Sequence, residues 1–142
     1  MRLADVNVLL NAFRADAPEH ERYRAWLEQL LEGDQRYAMS ELVLSAVVRI
    51  LTDPRIYAQP ETIETALQYA EFLQDRPLCV VVRPGPRHWQ IFSRLCVEGN
   101  IQGGIVSDAY HAALAIEHGC EWITADRHFA RFPGLRWRHP LD

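Results

Sequence analysis

The chain has 142 residues, a hydrophobic fraction of 49% and a net charge of −4, which argues against a general nucleic-acid binder. This length and composition are typical of one globular domain with a buried core and exclude a disordered chain. All fifteen basic residues are arginines, which excludes P-loop and Schiff-base chemistry, and no apolar run is long enough to span a membrane.

The first half of the chain predicts two short strands, each followed by helices. In chain order, the elements are a strand over Arg2–Asp5, a helix over Val6–Arg14, a helix from Pro18 to Gly33, a strand over Arg36–Met39 and a helix from Ser40 to about Asp53. Proline is favoured in the first turn of a helix and glycine just beyond its end. Serine is a common residue at the helix start, where its side chain accepts from a backbone N–H.

The second half continues the alternation. Its elements are a helix from Pro60 to the residues before Pro77, a strand over Leu78–Arg83, a helix over Arg87–Glu98, a helix from Ser107 to His118, and strands over Glu121–Thr124 and Gly134–Arg138. The valine-rich run at 78–83 is typical of a strand buried on both faces. Strands that alternate with helices predict an α/β domain around a mostly parallel sheet.

Four acidic residues lie directly after predicted strands or at predicted helix starts: Asp5, Glu41, Asp108 and Asp126. In a parallel sheet, functional sites form outside the carboxyl ends of the strands, so we expect these side chains to converge. Converging carboxylates repel one another, and a hard divalent cation such as Mg²⁺ or Mn²⁺ relieves that repulsion. Such an ion can activate water and stabilise charge on a phosphate.

The same acids also have a simpler interpretation as helix-start residues. An acid in the first turn interacts favourably with the helix dipole, which is the situation predicted for Glu41 after Ser40 and for Asp108 after Ser107. Asp5 is harder to explain in this way, because an unpaired charge within an apolar segment is costly. From spacing alone, a metal site and a set of helix starts remain open alternatives.

Four segments resemble one known family in order and spacing: LADVNVLL (3–10), SELVLSAVVR (40–49), VSDAYHAALAIEHG (106–119) and ITADRHFARFPGLR (123–136). They are similar to PIN-domain proteins, and most of all to the VapC ribonuclease toxins of bacterial toxin–antitoxin pairs. The resemblance implies a single PIN domain over residues 1–142, with a PIN-like α/β/α sandwich. It also implies a Mg²⁺- or Mn²⁺-dependent endoribonuclease, an RNA substrate, a VapB-like antitoxin partner and a homodimer.

The resemblance assigns roles to individual residues. The catalytic acids would be Asp5, Glu41, Asp108 and Asp126, with Asp5, Asp108 and Asp126 as metal ligands. Asn7 and Thr124 match polar neighbours that orient ligands or water. His128 departs from the family, because many relatives carry a further acid at this place, and the number of metal ions is therefore left open.

Other side chains near these segments have two interpretations each. Arg127 adjoins Asp126 and is our predicted RNA phosphate contact, with a solvated surface residue as the alternative. His111 follows Asp108 by three residues and shares its side of the helix, so it is either a neighbour of the site or an ordinary histidine. The three cysteines have no pairing pattern, which predicts reduced thiols in the cytoplasm.

Two alternatives to a nuclease remain at this stage. The Asp5-Val6-Asn7 segment resembles the start of haloacid-dehalogenase-type phosphatases, but the second acid and the lysine of that class are missing. The other alternative is a PIN-like module that binds RNA or a partner without cleavage.

Overall fold

The computed structural model describes all residues from Met1 to Asp142 and contains a five-stranded sheet and six α-helices. The strands are β1 (Arg2–Ala4), β2 (Tyr37–Ser40), β3 (Cys79–Val82), β4 (Glu121–Ile123) and β5 (Trp137–Arg138). The helices are α1 (Val6–Phe13), α2 (His20–Glu32), α3 (Glu41–Leu51), α4 (Ile63–Gln74), α5 (His88–Gly99) and α6 (Gly104–Glu117), and a 3₁₀ turn spans Arg127–Arg131. The predicted α/β fold is confirmed.

The sheet has the order β3-β2-β1-β4-β5, and every pair of neighbouring strands is parallel. β1 lies at the centre, where Leu3 pairs with Ala38 of β2 on one side and with Trp122 of β4 on the other. After β1 the chain builds β2 and β3 outward, then returns to the far side of β1 for β4 and β5. The strand order therefore reverses between β1 and β4, where ligand crevices form in open α/β sheets.

One cluster of 29 buried apolar residues joins the sheet to the helices. Leu3, Tyr37 and Trp122 are among its largest fully buried side chains. Burial of a large apolar side chain contributes about 1.5–3 kcal/mol, so each of these side chains stabilises the packing of the central strands against the helices. The hydroxyl of Tyr37 donates to the carbonyl of Leu73 at 2.8 Å, so this buried polar group keeps a partner.

The prediction that the valine-rich strand is buried on both faces is wrong. β3 is an edge strand, and Cys79, Val80 and Val81 are only half-buried. Helix α4 packs against β3, but no strand lies beyond it. An apolar run marks a strand without showing whether that strand is internal or at an edge.

The last long helix begins earlier than predicted. α6 starts at Gly104, directly after Gly103, which has φ 60° and ψ −130°. Residues other than glycine rarely adopt this conformation. Ser107 therefore lies inside the helix, and Asp108 is beyond the first turn. The helix-start interpretation of Asp108 is wrong, whereas Glu41 is indeed the first residue of α3.

The structure also bears on membrane insertion and on the thiols. None of its helices combines the length and the apolar character that crossing a bilayer requires. All three cysteines are free; Cys120 is buried, and Cys79 and Cys96 are half-buried against the core.

Candidate active site

Asp5 lies at the carboxyl end of β1 and is the residue that precedes α1. Its backbone N–H donates to the carbonyl of Ile123 at 2.8 Å, and its Oδ1 accepts from the N–H of Val6 at 2.6 Å. The side chain is almost fully buried, with 7% of the residue exposed. Burial raises the pKa of Asp5 to about 6, although its hydrogen bonds from Thr124 and Val6 act in the opposite direction.

Thr124 and Asn7 connect Asp5 to the segment after β4. The hydroxyl of Thr124 donates to Asp5 Oδ2 at 2.7 Å and accepts from the N–H of Asp126 at 3.0 Å. The amide of Asn7 donates to Asp5 Oδ2 and to the Thr124 hydroxyl, both at 3.2 Å, and its Oδ1 accepts from the N–H of Ala125 at 3.0 Å. These bonds hold the Asp5 carboxylate and the backbone of Asp126 in a fixed relation.

Asp108 and Asp126 line the same surface depression as Asp5, which has a volume of about 350 Å³. The side chain of Asp108 accepts no hydrogen bond; burial, followed by the charge of Asp126, raises its pKa. Asp126 precedes the 3₁₀ turn, and its Oδ1 accepts from the N–H of His128 at 2.9 Å and lies 3.0 Å from His128 Nδ1. Three of the four predicted acids thus share one depression at the carboxyl edge of the sheet.

The donor chemistry of this depression fits a hydrated hard cation. No three His, Cys, Asp or Glu side chains are arranged to hold a metal ion by themselves. Mg²⁺ usually keeps several waters and is bound through one or two carboxylates, so a tight cage is not required. Asp108 and the Oδ2 atom of Asp126 are oxygen donors without protein partners, and such donors favour Mg²⁺ or Mn²⁺ over softer metals.

Glu41 is not brought together with the three aspartates. Its half-exposed carboxylate lies 2.8 Å from Nη2 of Arg83 and borders a separate groove with Leu42 and Tyr110. The part of α3 that lines the acidic depression consists of Ala46, Arg49 and Ile50. The catalytic role of Glu41 therefore stays a prediction, and its position at the start of α3 has a sufficient structural explanation.

His111 lies at the depression. Its ring stacks on Trp122, with centroids 5.4 Å apart and planes at 18°. Nδ1 is buried without a hydrogen-bond partner, and burial lowers the pKa of His111 to about 4. Of the two interpretations offered by the sequence, the structure favours the neighbour of the site.

Two arginines differ from expectation. Arg127 is outside the depression and forms a two-pronged ion pair with Asp142, at 2.9 and 3.1 Å, so its contact with RNA stays a prediction. Arg49 lines the depression and was missed by the sequence reasoning. Helical spacing could have identified Arg49, because positions 46, 49 and 50 share one face of α3.

Comparisons with known proteins agree with this architecture. The PIN domain family matches residues 2–135. The ribonuclease VapC43 of Mycobacterium tuberculosis is 42% identical over 142 residues, covering all of this chain and 97% of that relative. VapC25 of the same organism is 37% identical over 140 residues, covering 99% of each chain.

Solved structures with low sequence identity share the fold. VapBC2 from Rickettsia felis, bound to a DNA fragment from its promoter, has a TM-score of 0.71 at 18% identity and covers 96% of both chains. VapC20 from Mycobacterium tuberculosis, described as a toxin that cleaves the sarcin–ricin loop, has a TM-score of 0.66 at 16% identity, covering 96% of this chain and 99% of that one. The chain belongs to the PIN-domain family and, within it, to the VapC ribonucleases.

Proposed function

We propose that this chain is a Mg²⁺- or Mn²⁺-dependent endoribonuclease and the toxin of a VapBC-type toxin–antitoxin pair. One observation carries the proposal: three aspartates from distant parts of the sequence line a single depression at the point where the strand order reverses. Carboxylates that share a partly buried site repel one another and are unfavourable without a cation. Membership of the VapC ribonucleases supports the same chemistry.

The side chains of the depression have distinct roles in this proposal. Asp108 and Asp126 would hold the ion through their free oxygens, with Asp5 contributing directly or through water. Asn7 and Thr124 fix the Asp5 carboxylate, so that it does not have to reorganise when substrate binds. When bound, the ion activates a water for attack on an RNA phosphodiester and offsets charge on the phosphate.

The test is cleavage of purified cellular RNA with Mg²⁺ or Mn²⁺ and with EDTA. Asp108→Asn is the informative variant, because the Asp108 side chain makes no hydrogen bond that the fold would lose. Asp34→Asn is the matched control, since Asp34 is exposed and borders a pocket at the opposite, amino edge of the sheet. We expect discrete metal-dependent fragments from the wild type and Asp34→Asn, and none from Asp108→Asn.

A second readout does not depend on activity. A ligand that binds only the folded state raises its unfolding temperature, so Mn²⁺ should stabilise the wild type and Asp34→Asn but not Asp108→Asn. Equal degradation by the wild type and Asp108→Asn would indicate a contaminating nuclease. Metal-dependent stabilisation and RNA binding without cleavage would favour a PIN-like binding module.

Three further predicted residues can be judged in the same assay. We expect His128→Ala to keep more than about a tenth of the cleavage rate, because its pairing with Asp126 is largely exposed and such pairs contribute little. Glu41→Gln tests the fourth predicted catalytic acid: a loss as complete as that of Asp108→Asn would require Glu41 to leave Arg83. An unchanged salt dependence of RNA binding in Arg127→Ala would remove Arg127 as a phosphate contact.

The partners are proposed from the relatives. Several solved structures with this fold are toxin–antitoxin complexes, which supports a VapB-like antitoxin for this chain. We also propose a homodimer. Light scattering after size-exclusion chromatography tests it, and a strict monomer at micromolar concentration would contradict it.

A further inference from the structure

Arg49 is a cation without a protein partner in the acidic depression. It lies in the last turn of α3, is exposed, and lines the depression with Asp5, Asp108 and Asp126. Its guanidinium makes no ion pair and no hydrogen bond, although carboxylates line the same depression.

The nearby acid that follows α3 makes no ion pair with Arg49; hydrogen bonds from Arg55 and, to a smaller extent, the charge of Arg49 lower the pKa of Asp53. Asp53 is engaged by Arg55, which donates to it from its backbone N–H at 2.8 Å and from its side chain at 3.1 Å. Arginines elsewhere on the surface commonly have such partners, as Arg14 has Asp16 at 2.7 Å and Arg83 has Glu41 at 2.8 Å. The donors of Arg49 are therefore available to a ligand that enters the depression.

The charges in the depression define what that ligand is. Three carboxylates and one divalent ion together carry one net negative charge, and an RNA phosphodiester brings a second negative charge. A phosphate next to these groups is repelled unless a further cation faces it. Arg49 is the arginine that lines this depression, whereas Arg131, whose charge acts on Asp108, borders a different pocket. Guanidinium presents planar pairs of N–H donors that match two phosphate oxygens.

We propose that Arg49 binds a phosphodiester of the RNA backbone at the acidic depression and positions it beside Asp108 and Asp126. The inference rests on the proposed ribonuclease function and deepens it by naming the residue that offsets the charge of the substrate. Arg49 does not transfer a proton or form a covalent bond. Its effect is electrostatic, and it increases as charge accumulates on the phosphate oxygens during the reaction.

The experiment compares wild type, Arg49→Gln, Arg49→Lys and Arg36→Gln. Arg36→Gln is the matched control, because Arg36 is also exposed and without an ion pair but lies before β2, at the opposite edge of the sheet. Binding of a labelled single-stranded RNA is measured by fluorescence anisotropy at several salt concentrations in EDTA. Cleavage of the same RNA is measured with Mn²⁺, and Mn²⁺ affinity is measured by calorimetry without RNA.

We expect Arg49→Gln to reduce the slope of log K against log salt by about one and to slow cleavage by about 10- to 100-fold. Mn²⁺ affinity should stay as in the wild type, because Arg49 is exposed and its charge is not among those that act on Asp5 or Asp108. Arg49→Lys should restore the salt slope but recover cleavage only in part, since an ammonium lacks the paired donors. Arg36→Gln should leave cleavage and Mn²⁺ affinity as in the wild type.

The outcomes separate this inference from the proposed function. If the wild type cleaves RNA and Arg49→Gln matches it in salt slope and rate, the role of Arg49 is refuted and the nuclease stands. If the wild type binds RNA but does not cleave it, the nuclease proposal fails, and the salt slope of Arg49→Gln alone decides the phosphate contact. If the wild type neither binds nor cleaves RNA, both proposals fail.

Discussion

Acidification of the metal-free protein should titrate two buried groups with opposite effects on stability. Folding raises the pKa of Asp5 from 3.8 to about 6, so between about pH 4 and 6 the folded state holds a proton that the unfolded state has lost. Stability therefore falls as the pH rises through this window. At about 1.4 kcal/mol per pH unit, this change is worth about 3 kcal/mol.

His111 acts in the other direction. Folding lowers its pKa from 6.5 to about 4, so between these values the unfolded state binds a proton that the folded state excludes. Stability therefore falls as the pH drops, again by about 3 kcal/mol. The two effects nearly cancel in the wild type, and single variants should reveal each of them.

The assay is urea unfolding between pH 4 and 7.5 in EDTA, followed by tryptophan fluorescence. Asp5→Asn removes one titration, and its free energy of unfolding should gain about 3 kcal/mol relative to wild type from pH 4 to 7. His111→Phe keeps an aromatic ring against Trp122 and loses no hydrogen bond, because Nδ1 has no partner. Its stability should fall by a similar amount, relative to wild type, over the same range.

Parallel curves for wild type and Asp5→Asn would refute this reasoning. They would mean that Asp5 ionises at its ordinary pKa, and hence that the depression is more solvated than its burial indicates. Calorimetric unfolding of the wild type and Asp5→Asn is compared at pH 4, where Asp5 of the folded wild type is protonated. The difference in stability at that pH measures the effect of changed hydrogen bonds apart from the titration.

Two further predictions concern stability. Thr124→Val should cost about 1–3 kcal/mol in urea unfolding, because Asp5 Oδ2 keeps only the longer bond from Asn7 and the N–H of Asp126 loses its acceptor; a neutral result would mean that water replaces the hydroxyl. Gly103→Ala should lower stability by about 1–3 kcal/mol through its positive φ alone, since nothing lies within 4 Å of the added carbon. Gly104→Ala, in equally open space at the helix start, is its control and should be neutral or stabilising.

The sequence was sufficient to predict the fold and part of the site. Alternation of short strands with helices predicts a parallel sheet, and the carboxyl ends of its strands then share an edge. Asp5 follows the central strand and Asp126 follows the strand beside it, so this rule brings them together in the structure. Helical spacing likewise places His111 on the same side of α6 as Asp108.

The same rule does not gather Glu41, because the sequence does not give the order of the strands. Glu41 follows β2, which is one strand further from the reversal between β1 and β4. Arg49 follows Glu41 by eight residues and therefore lies about 12 Å further along α3. The part of α3 that reaches the depression thus carries a cation and not a carboxylate. Strand order depends on packing between distant parts of the chain. It cannot be predicted from a short apolar segment such as β3 alone.

The bonds among Asp5, Asn7 and Thr124 have a consequence for biosynthesis. The bonds of Thr124 to Asp5 and Asn7 join residues that are separated by more than 110 positions, and β1 becomes a central strand only when β4 arrives. A nascent chain emerges N-terminus first, so its early segments wait for most of translation before the Asp5 carboxylate meets the Thr124 hydroxyl. A chain whose synthesis stops before β4 carries Asp5 and Asp108 but lacks Thr124 and Asp126, so the acidic depression is assembled only when the chain is nearly complete.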